Sequence, residues 1–279
     1  MTRFNANFRS NPSTSGRWCR AGCPIVIAGL LAVSGCTDEP EPLDPATCDA
    51  ATTYRVASVL MPHIGAEARA TGLDLNGDEM VDNQVGMISS TLHGQVGPLL
   101  DLSRTASARF ASDITWTIAV QHCPDAGAVV SLTSSTGSVS QLIGRMRDGV
   151  IVATGYEGEL PVSTLFDAGG TFVDPGWVAA ARAKIELREL DANRIEGKVT
   201  MALDSEATLE ALARPLTPFF NAHPEELAFF IDYFDDDEDG QLTVEEITAS
   251  NLAQSLTAPD LDLPSGPALS FGIGFAATR

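Results

Sequence analysis

The stretch RAKIELRELDANRIEGKVTMAL, Arg182 to Leu203, constrains the fold of this chain more than any other. Side chains on a strand alternate between two faces, so Ala183, Ile185 and Leu187 share one face of a first strand. Ile195, Gly197, Val199, Met201 and Leu203 share a face of a second, and DANR between them is turn chemistry. A two-stranded ribbon is not stable alone, so its apolar face needs more strands. They are present in RFASDITWTIAVQHC from Arg109, with Phe110, Ile114, Trp116 and Ile118 alternating, in GAVVSLTSSTG, and in SQLIGRMRDGVIVATG, where RDG marks a hairpin turn. Closely spaced short strands predict an antiparallel sheet, either a sandwich or a barrel.

Helical spacing surrounds this β-rich body. Val56, Leu60 and Ile64 fall at helical intervals in a stretch of about 50–71 that Pro62 kinks or divides. A second helical stretch spans about Gln84 to Arg104, weakened by Gly and Pro at 94–98. After Asp204 come SEATLEALARPLTPFF, with Ser205 as its N-cap, then HPEELAFFIDYF and VEEITASNLAQSL. The closing ALSFGIGFAATR reads as a final strand that returns to the sheet, which would make the preceding helices an insertion. The expected class is α+β: an antiparallel β-rich body with N-terminal helices and a C-terminal helix-loop-helix unit. The expected divisions are 1–35, 36–47, 48–204, 205–257 and 258–279.

The N-terminus has an address-like composition. Arg3, Arg9, Arg17 and Arg20 precede the first acid, Asp38, and the apolar run Pro24 to Val33 is shorter than the ~20 residues that span a bilayer. A basic start, a short apolar run and small residues make a secretory signal. The ending VSGC resembles the bacterial lipobox, which implies cleavage after Gly35 and lipid on Cys36; an ordinary secretory peptide is the alternative. TDEPEPLDPAT, Thr37 to Thr47, then reads as an acidic, Pro-rich tether. The implied location is the cell envelope of a bacterium, at the outer rather than the inner membrane, with the lipid on Cys36 as the membrane anchor. Cys19 and Cys23 leave with the signal, so Cys48 and Cys123 remain as a disulfide pair or as two unrelated thiols.

The formal charge of −20 repels phosphate backbones, which argues against nucleic acid and makes cations the natural partners. The acids are not evenly spread. In FDDDEDGQLTVEEI, Asp235, Asp237 and Asp239 take positions one, three and five of a twelve-residue loop. Gly240 takes the turn position, the Gln241 carbonyl position seven, Thr243 position nine and Glu246 position twelve. Alternate carboxylates wrap one side of a hard cation, and a glutamate on the exiting helix closes the other side bidentately. Leu242 is apolar and would anchor the loop to a core or to a partner loop. PEELAFFIDYF before and VEEITASNLAQSL after are helical. Helix, loop and helix resemble the EF-hand at every ligand position, which implies Ca²⁺.

DLNGDEMVDN offers a second, degraded version. Asp74, Asn76, Asp78 and Asp82 stand at positions one, three, five and nine, with the Met80 carbonyl at seven. It resembles an EF-hand-like or thrombospondin type 3 calcium loop, but Glu79 replaces the turn glycine and Val85 the last carboxylate. An Asx-rich turn capping a helix is the alternative. Pairing of the two loops stays open. The whole layout resembles uncharacterised bacterial lipoproteins, which implies no known activity.

No Gly-x-Ser-x-Gly elbow, His-Glu-x-x-His or Gly-rich phosphate loop occurs, and His63, His93, His122 and His223 lack metal-ligand spacing. The expectation is therefore a calcium-binding, envelope-anchored lipoprotein without evident catalysis. A calcium-dependent hydrolase with its site in the β body is one alternative, and a calcium-dependent adhesion or assembly module with a protein partner is another.

Overall fold

In the computed structural model, Leu43, residues 45–170 and residues 174–279 are described. The signal segment 1–35, Cys36 and most of the 36–47 tether lie outside the described residues. The end of the tether, Pro45–Thr47, is a single 3₁₀ turn leading into Cys48. Among the described residues, no helix is long and apolar enough to cross a membrane.

The elements follow in the order β1 (Thr52–Leu60), α1 (Gly65–Thr71), α2 (Gln84–Val96), α3 (Leu102–Ser112), β2 (Thr117–His122), β3 (Gly127–Thr133), β4 (Val139–Arg147), β5 (Val150–Gly155), β6 (Gly158–Pro161), α4 (Val162–Leu165), β7 (Trp177–Asp191), β8 (Arg194–Leu203), α5 (Ser205–Ala222), α6 (Ala228–Phe234), α7 (Val244–Ala249), α8 (Asn251–Leu256), β9 (Leu261–Leu263) and β10 (Gly266–Thr278). The fold is α+β with a β-rich antiparallel body. Strands pair in the order β1-β2-β3-β4-β5-β7-β8-β10, and β10 pairs back on β1, so the sheet closes into a barrel. β6 continues along β7 beyond β5, and β9 adds to the start of β10. A barrel of this strand number is just wide enough to be filled by its own side chains.

The register shows how alternation builds that filling. Ile151 lies opposite Leu187, Ile185 opposite Val199, and Val199 opposite Ile273, all buried and all on the inner face. Tight curvature requires glycine where strands press together. A Cβ on Gly144 would sit 1.9 Å from the Val152 carbonyl oxygen, and one on Gly197 would sit 2.3 Å from that of Glu186. The turn Asp148-Gly149 joins β4 to β5 with positive φ at both residues, 52° and 76°, as a tight two-residue hairpin demands.

From Thr200 onward β8 is buried on both faces, as is β10 over Ala268–Phe275. Their outer residues are small, Ala202, Ser270, Gly272 and Gly274, and they accept the α1–α2 layer at close range. A Cβ on Gly272 would meet the Thr71 carbonyl oxygen at 2.8 Å. A separate apolar cluster of Leu75, Ala202, Leu261, Leu263 and Ala268 fixes the loop after α1 to this outer wall.

Several expectations are corrected. First, 50–71 is not one helix: β1 precedes Pro62 and only Gly65–Thr71 is helical. The register shifts between Val56 and Ser58, where Ala57 is the extra residue of a bulge. The bulge inverts the parity of the strand, so Val56 and Val59 both face inward, three residues apart as on a helix. Second, the strand expected from Arg109 begins at Thr117, because α3 runs to Ser112 and buries Leu102, Ala106 and Phe110 at fourfold spacing. α3 serves β1 directly: Ser107 Oγ accepts from Val59 N–H at 3.1 Å, and Ser103 Oγ accepts from Met61 N–H at 2.9 Å. The helical stretch expected over 84–104 is correspondingly divided at Gly97, where φ is 56°. Third, Asp204 caps α5, not Ser205: its carboxylate accepts from Ala207 N–H at 2.8 Å.

α5 carries Pro215 inside it. Proline has no N–H, so the Ala211 carbonyl loses its helical donor. The fully buried Ser163 of α4 supplies one instead, Oγ donating to Ala211 O at 2.7 Å. The expected disulfide is present: Cys48 and Cys123 are bonded, tying the segment before β1 to the end of β2.

Candidate metal centre

The helical unit between β8 and β9 carries the acidic loop. Phe220 stacks on Phe230 at 5.2 Å and Phe230 on Phe234 at 6.3 Å, which fixes α6 to α5. Ile231 and Ile247 bury from the two helices flanking the loop, and Leu242 buries from within it, 3% exposed. These anchors hold both ends of Asp235–Glu246 in the main core while the polar side chains stay at the surface.

Inside the loop, backbone N–H groups orient the carboxylates. Asp235 Oδ2 accepts from Gly240 N–H at 2.7 Å and its Oδ1 from Asp239 N–H at 3.2 Å. Asp237 Oδ1 accepts from Asp239 N–H at 3.2 Å, and Asp239 Oδ1 from Gln241 N–H at 2.8 Å. Gly240 has φ 83°, the left-handed turn that position six requires. One carboxylate oxygen from each of Asp235, Asp237 and Asp239 lies within 4.8 Å of the others. Among the described residues this is the one group of three or more His, Cys, Asp or Glu side chains that converges so closely.

Glu246 stands beside this group, held by the capping of α7. Its Oε2 accepts from Thr243 N–H and Thr243 Oγ, both at 2.7 Å, while Thr243 Oγ accepts from Glu246 N–H at 3.1 Å. Its Oε1 accepts from Asp236 N–H at 3.2 Å, across the mouth of the loop. The Thr243 hydroxyl, then the Thr243 N–H, hold the Glu246 carboxyl below the usual glutamate range. Asp237 moves the other way. The Asp239 N–H pulls its pKa down, but partial desolvation and the Asp239, Glu246 and Asp235 carboxylates outweigh that and raise it. A cluster whose members repel one another in this way gains most from a cation. An open groove along Asp232, Tyr233, Asp236, Glu238 and Glu245 leads to the loop from solvent.

The second loop repeats the backbone of the first but not its convergence. Asp74 Oδ2 accepts from Glu79 N–H at 3.1 Å, and Asp78 Oδ1 from Met80 N–H at 2.8 Å, as Asp235 and Asp239 do at the matching positions. Positions four and six are left-handed in both loops: Gly77 at 87° and Glu79 at 68°, Glu238 at 59° and Gly240 at 83°. The Asn76 side chain accepts from Asp78 N–H at 3.0 Å. Asp82, however, turns inward, and its Oδ2 accepts from Leu75 N–H at 2.5 Å. Val85 sits fully buried in the main core where the twelfth ligand would stand.

The residue after Asp82 does the structural work here. Asn83 caps α2, its Oδ1 accepting from Gly86 N–H at 2.9 Å and from Gly272 N–H at 2.7 Å. Its Nδ2 faces Ala68 O, Gly272 O and Thr71 Oγ at 2.9, 2.9 and 3.1 Å. One side chain thus joins α1, α2 and β10. Sequence reasoning placed Asn83 only as the end of the loop motif, since its partner on β10 is far away along the chain.

Two histidines pair and two stand apart. His63 and His93 stack face to face at 4.3 Å, His122 Nε2 lies 3.2 Å from Glu189 Oε1, and the His223 ring lies 5.0 Å from Phe219. No protein-family profile, no curated protein and no solved structure matches this chain. The likeness to the EF-hand therefore rests on Asp235–Glu246 and its flanking helices alone.

Proposed function

We propose that this protein binds Ca²⁺ at Asp235–Glu246, with the ion serving a structural or regulatory role, and that it does so as an envelope-anchored lipoprotein held by lipid on Cys36. The observation that carries the calcium reading is the convergence of Asp235, Asp237 and Asp239 within 4.8 Å. Gly240 at its turn and Glu246 poised on the exiting helix add to it. All donors are oxygens, which suits a hard cation, and a flexible cage with a large glutamate at its end suits Ca²⁺ better than Mg²⁺. The Gln241 carbonyl and Thr243 would supply the remaining side of the cage. Because α6 and α7 both reach the main core, an ion here would brace the helical unit against the barrel. The anchor is supported by the basic start, short apolar run and VSGC of the sequence.

Calorimetric titration of residues 37–279 with Ca²⁺ and, separately, Mg²⁺ tests the first part. One Ca²⁺ site is expected, at least tenfold weaker in Glu246→Gln. Equal heats in the two proteins would remove this loop from the reading. Mass spectrometry of the protein from bacterial membranes tests the second: an acylated N-terminal Cys36 is expected, and a soluble, unmodified chain would refute it.

A further inference from the structure

We infer that Asn221, outside the loop, is the positioning residue that makes this single metal loop complete without a partner; the inference rests on the calcium reading above. Leu242 lies between the Gln241 carbonyl and Thr243, the N-cap of α7. Its backbone N–H and C=O require partners once they are withdrawn from water. A second strand would normally provide both. Here one side chain does. Leu242 N–H donates to Asn221 Oδ1 at 2.8 Å, and Asn221 Nδ2 donates to Leu242 O at 2.8 Å.

Asn221 belongs to the last turn of α5, and α5 is packed on the main core through Leu212, Leu216 and Phe220. The Leu242 side chain is itself buried in that core. Leu242 is therefore fixed at three points: its side chain, its N–H and its carbonyl. The residues on either side inherit that position. A carboxamide is the only neutral side-chain group that donates and accepts from adjacent atoms with the spacing of a peptide. Ser or Thr could serve one of the two backbone groups but not both in this geometry. The second loop cannot be the missing partner, since Asp74–Asp82 is fastened to the outer wall of β8 and β10 through Leu75. Fixing Leu242 aims the Gln241 carbonyl and sets the register of Thr243 and Glu246. Asn221 thus holds the half of the cage that the three aspartates do not supply.

The test measures Ca²⁺ affinity and the Ca²⁺-induced rise in melting temperature for the wild type, Asn221→Ala and Asn221→Leu; the Leu variant keeps the packing volume. Both variants are expected to bind about tenfold more weakly, equivalent to about 1.4 kcal/mol, and to show a smaller Ca²⁺-induced rise. A purely structural role would lower the melting temperature of the metal-free protein and leave that affinity unchanged, which would overturn the inference while sparing the calcium reading. A wild type that binds no Ca²⁺ overturns both. Independently of any variant, the Leu242 amide of the wild type is expected to resist hydrogen exchange with EDTA present as well as with Ca²⁺. Free exchange in the metal-free protein would sink the inference even if neither variant folds.

Discussion

Replacing Asn83 by alanine should be the most damaging single polar substitution on the outer wall of the barrel. Asn83 is 5% exposed and contacts five polar atoms: Ala68 O, Thr71 Oγ, Gly272 O, Gly86 N and Gly272 N. Its amide carries two hydrogens for three acceptors, so one of these contacts is shared and four count fully. A buried hydrogen bond contributes about 1 kcal/mol net, and more where its loss strands the partner. Water has little room to replace the side chain, because Gly72, Gly86 and Gly272 all press on it; a Cβ on Gly86 would lie 2.4 Å from Asn83 Nδ2. The loss should be about 4 kcal/mol, with Gly272 N–H and the first N–H groups of α2 left unpaired. For a domain of this size that is roughly a 10 °C fall in Tm. Urea unfolding followed by circular dichroism measures it, with Asn76→Ala in the exposed loop as a control expected to change little. An Asn83→Ala midpoint within about 1 kcal/mol of wild type would refute the claim that this side chain fastens α1 and α2 to β10.

Two further outcomes follow from the same structure. The Cys48–Cys123 bond closes a sequence separation of 75, so a Cys48→Ala, Cys123→Ala double variant should lose about 4 kcal/mol in urea unfolding. An unchanged midpoint would mean that the unfolded chain is already restricted there. Burial raises the Asp82 pKa, opposed by the Leu75 N–H and reinforced by Asp260, Asp74 and Asp78. A carboxyl raised on folding adds stability that is full below its unfolded pKa and is lost as pH rises through the folded value. Asp82→Asn in EDTA should therefore melt a few degrees above wild type at pH 7, with the gap closing toward pH 4. A gap of the same size at both pH values would refute that sign.

What could be read from the sequence was local. The alternation of Ala183, Ile185 and Leu187 and the Asp148-Gly149 turn each lie within a few residues, and the hairpins they specify are present; the spacing of Asp235, Asp237 and Asp239 is equally local, and their carboxylates converge. β1 was illegible because Val56, Leu60 and Ile64 fall at helical intervals, although Leu60 ends the strand and Ile64 is exposed beyond Pro62. α3 was misread at its end because Phe110 and Ile114, four residues apart, suit a helix face as well as an alternating run. Asn83 and Asn221 were not readable as fasteners at all. Their chemistry is generic, and what makes them consequential is the distant backbone that each one meets.

The pairing of β1 with β10 governs the order in which the protein can be made. Arg55 lies opposite Thr278, so the seam joins nearly the first described residues to the last. Until β10 is in place, β1 and β8 both remain open edges, able to recruit any passing strand. Closure then has to bring β1 and β10 together, a step whose rate falls as contacts become more distant in sequence. A chain truncated before β10 should accumulate as a sticky, unclosed sheet, and a chain that includes β10 should fold slowly.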